Sequence, residues 1–366
     1  MKLGVDSRML IGAWKHRGIG KYLQSLLKFV DNDKIIAFYP KNNTNDNFEY
    51  ISRGYRFFAF WEQIILPKLI LKKKLDYFLF PSITSPIVKS KNVKSIVVVY
   101  DLIFMLPFKE LKPSYSVYNN LGRLYRRLIA PLTYVNCDYL ISISEYSKNE
   151  LLIKFNIPKE KIFVIPCSIT NDWFIEKPLP ATRREKYFLT VSGDAPSKNL
   201  YNIITAFSVF LKEIETKDFL LRIVGVKSKS QLHFLNFTKK LNIENNVIFE
   251  NFIQNNDLQT LYRNAWCSLT LSLQEGFGIP IVEAMASGTP VICSNTTSIP
   301  EVAGKHALFA NPNNINDMSN SMLKIYRLNE TSRDNMALNA LKSSYRFSEK
   351  EVEDKIYKFW NKLELN

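Results

Sequence analysis

Cysteine, histidine and long apolar runs are all scarce in this 366-residue sequence. Its four cysteines, Cys137, Cys167, Cys267 and Cys293, lie far apart in apolar contexts with no paired spacing. This pattern argues against a disulfide framework or a zinc cluster and is typical of reduced thiols in the cytosol. No apolar run approaches the ~18 uncharged residues that a membrane-spanning helix needs. The three histidines share no metal-ligand spacing, and we expect no metal site.

Asp and Glu are fewer than Lys and Arg, which leaves the chain with a formal net charge of +15. Residues 1–180 hold 27 Lys and Arg against 15 Asp and Glu, whereas residues 181–366 hold 22 against 19. This imbalance favours one half that faces a broad anionic surface and another that holds a more closely shaped ligand. With 46% apolar and 23% charged residues, the chain has the composition of a globular protein.

Short β-branched or aromatic runs alternate with stretches of helical spacing along most of the chain. Leu3–Asp6, Ser95–Tyr100 and Cys267–Leu271 are typical of these runs, and Tyr55–Phe60 is a further predicted strand. The longest predicted helix covers Tyr115–Leu132. Runs that are apolar throughout and separated by helices predict parallel strands covered on both faces, and therefore doubly wound sheets.

A polar, proline-rich stretch near residues 166–186 interrupts this pattern and predicts a linker. The chain is also longer than one hydrophobic core normally spans. We therefore expect an α/β fold of two Rossmann-like domains, residues 1–168 and 185–345, whose parallel sheets face each other across a cleft. Residues 346–366 are expected to form a helix that packs back across the domain junction. Ligands of such sheets bind beyond the carboxyl ends of the strands.

The strongest chemical signal is the segment 273–291, which reads LQEGFGIPIVEAMASGTPV. It follows a predicted strand, turns on two glycines and enters a helix with Pro280 in the first turn, where its missing amide hydrogen is not needed. Bare backbone amides at a helix start favour an anionic or polyhydroxyl ligand. Glu275 and Glu283 can each accept two hydrogen bonds from neighbouring sugar hydroxyls. The alternative is a capped helix start with two solvated glutamates.

This segment resembles the Glu-x7-Glu signature of the family 4 retaining glycosyltransferases, which have the two-Rossmann GT-B fold. Seven further segments are similar to that family and follow in its order: GVDSR at 4–8, RGIGKY at 17–22, WEQ at 61–63, ISEYSK at 143–148, KNL at 198–200, RIVG at 222–225 and LQTLYRNA at 258–265. The WEQ segment resembles the mannosyltransferase-like branch of bacterial polysaccharide and O-antigen enzymes.

The resemblance implies that a hexose moves from a nucleotide sugar to a lipid-linked saccharide in surface-polysaccharide assembly, with mannose from GDP-mannose as the leading expectation. Such a transfer expels a diphosphate while the anomeric carbon becomes oxocarbenium-like, as in glycoside hydrolysis. Cations, oriented dipoles or a metal must meet the developing negative charge. Because we find no paired-carboxylate metal motif, Lys198 becomes the main cation, and no cofactor is expected.

By the same resemblance, Glu275 orients the donor sugar, Glu283 holds the ribose diol and Lys198 holds the diphosphate. The expected donor-binding residues share positions in loops or at helix starts: Lys198, Gly276, Phe277, Gly278, Ile279, Glu283, Gly18, Gly20, Ser144 and Glu145. The expected catalytic residues are Glu275, Asp101 and Tyr100.

Several positions depart from the family pattern. Tyr100 stands where the family usually has a histidine, and a tyrosine cannot act as a general base near neutral pH. A front-side mechanism, in which the leaving phosphate oxygen takes the acceptor proton, needs no base, and Asp101 can orient the substrate. The family's arginine near Lys198 is absent, and Asn251 occupies a usual glycine position. These departures leave open an inactive sugar-nucleotide-binding protein and a nucleotide-sugar epimerase.

The basic half contains a segment, Trp61–Lys74, that joins bulky apolar residues to a terminal lysine cluster. One interpretation is peripheral docking on the anionic inner leaflet of the cytoplasmic membrane, where each surface Lys or Arg contributes about 1 kcal/mol. The other is that Ile64, Ile65, Leu69 and Ile70 belong to the core. A nucleic-acid partner is not expected, since the sequence contains no recognisable nucleic-acid-binding module.

Overall fold

The computed structural model describes residues 1–16, 18–40, 48–53, 57–107, 117–214 and 218–364. The chain divides into two compact units. The first contains Met1–Leu106, the described residues 117–168 and the C-terminal segment from Lys350. The second contains Ile169–Glu349. Each unit is built on one parallel sheet flanked by helices, which confirms the predicted α/β class with two Rossmann-like units.

The sheet of the first unit has seven strands within the described residues, in the order β3-β2-β1-β4-β5-β6-β7. Their bounds are β1 Leu3–Asp6, β2 Ile35–Tyr39, β3 Glu49–Ser52, β4 Tyr77–Phe80, β5 Lys94–Val99, β6 Tyr139–Ser142 and β7 Ile162–Val164. The strands β1, β2 and β4 are buried along their whole length. This explains their nearly uninterrupted apolar sequences, because helices cover both faces of such a sheet.

The helices that precede β7 are α1 Gly18–Leu27, α2 Phe58–Phe60, α3 Leu66–Ile70, α4 Val117–Asn136 and α5 Glu145–Phe155. A π-helical stretch, Trp61–Ile65, joins α2 to α3, and Pro67, which lacks an amide hydrogen, follows it. The predicted strand Tyr55–Phe60 is wrong at its described end, since Phe58–Phe60 is helical. Short apolar runs fit a strand or a buried helix equally well.

The sheet of the second unit has six strands among the described residues, in the order β10-β9-β8-β11-β12-β13. They are β8 Glu185–Val191, β9 Leu220–Val224, β10 Val247–Glu250, β11 Ala265–Thr270, β12 Val291–Ser294 and β13 Leu308–Ala310. The helices are α6 Leu200–Glu213, α7 Ser228–Lys240, α8 Asn255–Asn264, α9 Ile279–Ala286, α10 Ile299–Ala303, α11 Ile315–Arg327 and α12 Glu330–Ser344.

The strand order reverses at one point in each sheet, between β1 and β4 in the first unit and between β8 and β11 in the second. At such a switch point the connections after the two neighbouring strands leave toward opposite faces, which opens a crevice at the carboxyl ends. The loops after β8 and β11 are those that carry Lys198 and Glu275.

The last helix, α13 Glu349–Glu364, packs within the first unit. The indole nitrogen of Trp360 donates to the Leu26 carbonyl at 2.8 Å, and the Tyr77 hydroxyl donates to the Leu363 carbonyl at 2.9 Å. None of the helices in the described ranges combines the length and apolarity needed to cross a bilayer.

Candidate active site

Backbone and amide hydrogen bonds tie the loop after β8 to the loop after β11. The Leu273 amide donates to the Ser197 carbonyl at 2.8 Å, immediately before Lys198. Asn199 adopts a left-handed conformation with φ of 63°, and its side-chain amide donates to the Leu271 carbonyl at 3.0 Å. The same amide donates to the Pro312 carbonyl at 2.7 Å. Three loops at the carboxyl edge of the sheet are therefore held together around Lys198.

Lys198 and Glu275 form an ion pair at this edge. The ammonium of Lys198 donates to Oε1 of Glu275 at 2.6 Å, and the Ser272 hydroxyl donates to the same oxygen at 2.7 Å. The side chain of Lys198 is 27% exposed and that of Glu275 is 12% exposed. The pair is therefore partly shielded yet open to a solute, which is the environment in which a cation binds a phosphate strongly.

Residues that follow β12 form hydrogen bonds with the loop from Glu275 to Gly278. The Ser298 hydroxyl donates to the carbonyls of Glu275 at 3.0 Å and Phe277 at 3.3 Å. The Glu275 amide donates to the Thr297 hydroxyl at 3.3 Å. Gly278 then precedes α9 with φ of 98°, a conformation that a residue with a Cβ adopts only with strain.

Phe277 and the start of α9 contribute differently to this loop. The Phe277 ring is buried and packs edge-on against Phe347 with ring centroids 5.3 Å apart. Its side chain therefore belongs to the core of the second unit, and its backbone is the part left for a ligand. Ile279 begins α9, and the first amides of a helix lack intrahelical acceptors and attract anions.

Glu283 lies within α9 and is half-buried. The Tyr262 hydroxyl donates to its Oε2 at 3.4 Å, and Tyr262 itself is fully buried. Burial, with the nearby Glu283 charge as a smaller cause, raises the pKa of Tyr262 well above its usual range. The tyrosine is therefore a lasting hydrogen-bond donor that fixes the carboxylate of Glu283.

Polar groups also meet near the ends of β9 and β10. Asn251, which follows β10, accepts hydrogen bonds from the Ser228 hydroxyl at 2.8 Å and from the Gln231 amide at 3.1 Å. Arg222 and Glu250 form an ion pair at 2.8 Å on these two strands. The asparagine that replaces the expected glycine therefore links β10 to the start of α7.

In the first unit, Gly18 and Gly20 lie in the first turn of α1 rather than in a separate loop. A Cβ on Gly20 would lie 2.1 Å from the Trp14 carbonyl oxygen, so only glycine permits this close approach. Arg17, the first residue of the segment that resembles the family, lies outside the described residues. The backbone amides of this first helical turn can therefore donate to an anion, as at other helix starts.

Tyr100 follows β5, and its side chain is buried in the first unit. Its ring packs edge-on against Tyr22 at 5.7 Å, and its hydroxyl finds no hydrogen-bond partner within the described part of the chain. Burial raises the pKa of Tyr100 well above its usual range, so it cannot serve as a base. Asp101, next in the chain, accepts the Ile103 amide at 3.0 Å and lies near the Arg126 guanidinium.

Ser144 and Glu145 begin α5. The Ser144 hydroxyl accepts the Ser147 amide at 3.1 Å, the arrangement of a helix N-cap, and the Ser144 side chain is buried. Glu145 pairs with Lys148 at 3.2 Å on the exposed side of the first turn. The structure therefore gives Ser144 a local capping role and leaves Glu145 accessible at the helix start.

The sequence indicated no role for Tyr262, Ser272, Thr297 or Ser298, which position the two glutamates. Ser272 lies three residues before Glu275, a spacing that local side-chain hydrogen bonds often use. Tyr262 lies on α8, and Thr297 and Ser298 lie in the loop after β12. Nothing in the sequence indicates that Tyr262 contacts Glu283 or that the other two contact the Glu275 loop.

Comparison with known proteins places this geometry in context. The family model described as "Glycosyl transferases group 1" matches residues 171–343, which cover most of the second unit. The O-antigen chain mannosyltransferase RfbU of Salmonella typhimurium is 29% identical over 219 residues, 60% of either chain. The O-antigen chain mannosyltransferase B of Escherichia coli is 28% identical over 193 residues, half of either chain. The chain thus spans only 50–60% of the length of these relatives.

A solved structure resembles the chain over nearly its full length. WaaG, described as a glycosyltransferase involved in lipopolysaccharide biosynthesis, aligns with a TM-score of 0.71 at 15% identity, covering 97% of this chain and 99% of WaaG. At this identity the likeness concerns the fold, and it agrees with the two parallel sheets described above.

Proposed function

Since this chain belongs, through residues 171–343, to the glycosyl transferases group 1 family, we propose that it is a retaining glycosyltransferase that uses a nucleotide sugar. The observation that carries the proposal is the Lys198–Glu275 ion pair at the switch point of the second sheet. The two side chains lie 2.6 Å apart and offer complementary binding groups for a nucleotide sugar. The ammonium can bind its diphosphate, and the carboxylate can accept hydrogen bonds from its hydroxyls.

Lys198 is the residue we assign to the diphosphate. Negative charge grows on the leaving diphosphate as the glycosidic bond breaks, and a positioned cation stabilises that change. The amides of Gly276, Gly278 and Ile279 provide oriented dipoles beside it. We propose that these groups suffice without a divalent metal, so that EDTA leaves the rate unchanged.

Glu275 and Glu283 are assigned to different hydroxyls of the donor. Glu275 keeps one carboxylate oxygen on Lys198 and Ser272, which leaves Oε2 to orient the transferred sugar. Glu283, fixed by the Tyr262 hydroxyl, holds the ribose diol. The relatives named above as mannosyltransferases support mannose as the transferred sugar and GDP-mannose as the donor.

The first unit is assigned to the acceptor, which we propose to be a lipid-linked saccharide on the inner face of the cytoplasmic membrane. Its basic composition suits the diphosphate of such an acceptor. The amides at Gly18 and Gly20 and the carboxylate of Asp101 are the groups proposed to contact substrates. Tyr100, with its buried hydroxyl, is assigned a positioning role that holds Asp101 at the end of β5.

The test begins with the donor alone. A panel of nucleotide sugars is screened for thermal stabilisation, because a ligand of the folded state raises the melting temperature. GDP-mannose is expected to give the largest shift. The stabilising donor is then incubated with lipid-linked saccharide, with and without EDTA, and the anomeric configuration of the product is determined.

Each outcome bears on a separate part of the proposal. Retention of the anomeric configuration and resistance to EDTA support it. Loss of turnover in EDTA overturns the metal-independent chemistry. Donor binding without transfer or hydrolysis would point to a sugar-nucleotide-binding protein, and a converted nucleotide sugar without acceptor would point to an epimerase.

A further inference from the structure

The outer face of α4 carries a continuous stripe of exposed aliphatic side chains. Leu121, Leu124, Leu128, Leu132 and Val135 are between 47% and 63% exposed. Their spacing of three or four residues places them on one side of a 20-residue helix, which is about 30 Å long. The usual order is thereby reversed, because a surface helix normally turns its apolar side toward the core.

The opposite side of α4 fixes this orientation. Ala130 and Tyr134 are fully buried and belong to the core of the first unit. The Arg127 guanidinium donates to the Leu106 carbonyl at 2.8 Å, and the Ser85 amide donates to the Thr133 hydroxyl at 3.1 Å. The helix therefore has an inner face that is packed and an outer leucine stripe that faces solvent.

Cations and further apolar side chains lie on the elements that contact α4. Lys89 donates to the Asn136 carbonyl at 2.7 Å, which places the loop before β5 at the C-terminal end of the helix. This loop and the segment around α3 expose both apolar and basic side chains. The apolar ones are Ile64, Leu71, Ile87 and Val88, and the basic ones are Lys68, Lys72, Lys74 and Lys91. Leu71 and Val88 line one shared cavity of about 50 Å³, so the two segments are adjacent.

Charge decides between the possible occupants of this surface. The three arginines of α4 are not exposed, so the charge at this surface comes from the lysines of the neighbouring segments. The sequence of α4 contains no acidic residue, and the chain carries a net charge of +15. Two copies meeting along the stripe would bring like charges together without carboxylates on α4 to pair with them. An anionic lipid surface instead accepts apolar side chains below its headgroups and attracts the surrounding lysines.

We propose that α4 lies in the interface of an anionic lipid bilayer, with the leucine stripe at the level of the acyl chains. This surface differs from the Trp61–Lys74 segment expected from sequence, in which Trp61, Leu66, Leu69 and Ile70 are buried and only the exposed ends remain available. The inference adds a partner to the proposed function, and it is tested without donor or acceptor.

The experiment measures sedimentation of the full chain with vesicles of phosphatidylcholine alone or with a third of phosphatidylglycerol. The double variant Leu124→Glu/Leu128→Glu is compared with the matched control Ile153→Glu, which changes an exposed isoleucine on α5 of the same unit. The wild type and Ile153→Glu are expected to bind the anionic vesicles, more weakly as salt rises. The double variant should bind at least about tenfold more weakly, since it puts charge in the acyl region.

A second measurement requires no variant. Hydrogen exchange of the wild-type chain is followed with and without anionic vesicles, and peptides from α4 should become protected while those from α5 do not. Unchanged exchange in α4, equal binding of the double variant, or equal binding to uncharged vesicles would overturn the proposal. A dimer in the absence of lipid that the double variant converts to a monomer would identify a second copy as the occupant instead.

Discussion

The ammonium of Lys198 lies 2.6 Å from Oε1 of Glu275, although the two residues are 77 positions apart in the chain. The contact follows from topology, because each residue lies in the loop that follows one of the two neighbouring strands at the switch point. In this arrangement the carboxylate of Glu275 keeps the ammonium of Lys198 at the carboxyl edge of the sheet. We expect a bound diphosphate to attract the ammonium while Ser272 keeps Glu275 oriented.

Replacing Lys198 by alanine tests this relationship. We expect kcat/KM for transfer to fall by about 10²- to 10³-fold, the usual cost of removing a group that stabilises developing charge. The melting temperature should change little, since partly exposed ion pairs contribute about 1 kcal/mol or less. Transfer is measured at several donor concentrations, together with a melting curve.

Lys186→Ala is the matched control. Lys186 lies near the amino end of β8, the strand whose following loop carries Lys198, and it pairs with Asp218 at 2.9 Å. Both changes therefore remove one lysine from one ion pair, but only Lys198 lies at the carboxyl edge. Equal rates for the two variants would show that Lys198 does not act on the donor.

Removing the Tyr262 hydroxyl tests the role given to Glu283. In Tyr262→Phe, Oε2 of Glu283 loses its buried donor, so the carboxylate should hold the ribose less firmly. We expect KM for the donor to rise by about three- to tenfold, the effect of roughly 1 kcal/mol, with a smaller change in kcat. Tyr187→Phe is the control, because the Tyr187 hydroxyl donates to the Leu261 carbonyl at 2.6 Å. A KM that rises equally in both variants would indicate a general loss of stability.

Sequence predicted the fold and the chemical types at the site better than the contacts between them. The alternation of buried strands and helices was sufficient for two parallel sheets, and the glycines before α9 indicated the turn at Gly278. The contacts of Thr297 and Tyr262 could not be predicted, since they join separate elements through tertiary packing. The predicted strand ending at Phe60 was wrong because a short apolar run fits a helix as well as a strand, and Phe60 is exposed rather than buried in a sheet.

Tyr100→Phe tests whether the phenol takes part in the chemistry. The Tyr100 hydroxyl is buried without a hydrogen-bond partner among the residues that the structure describes. Removing such a group should leave stability unchanged or slightly higher, because a buried unsatisfied hydroxyl is unfavourable. We expect transfer within about twofold of the wild type, whereas Tyr100→Ala should lower it by removing the ring that packs on Tyr22. A large loss of transfer activity in Tyr100→Phe would show instead that the hydroxyl takes part in the reaction.

The four cysteines are free and buried, and this predicts both their reactivity and an alkaline loss of stability. Burial raises the pKa of Cys137 to about 12 and that of Cys167 to about 12. In the unfolded chain these thiols ionise near pH 8.5, so stability present below that pH is lost as the pH rises toward 12. The free energy of unfolding should fall between pH 8 and 10, and less steeply in Cys167→Ala. An identical slope in that variant, or rapid labelling of native thiols at pH 8, would contradict the burial.

Gly278→Ala tests the backbone geometry on which the donor loop depends. The residue has φ of 98°, and an added Cβ would lie 3.0 Å from Cδ1 of Ile281. A left-handed conformation costs a residue with a side chain about 1–3 kcal/mol, so either stability falls or the loop shifts. Both consequences should weaken stabilisation by the donor. Gly122→Ala is the control, since Gly122 lies in α4 with ordinary space around it, and alanine favours a helix by about 0.5–1 kcal/mol. Full donor-induced stabilisation of Gly278→Ala would mean that the start of α9 does not bind the nucleotide sugar.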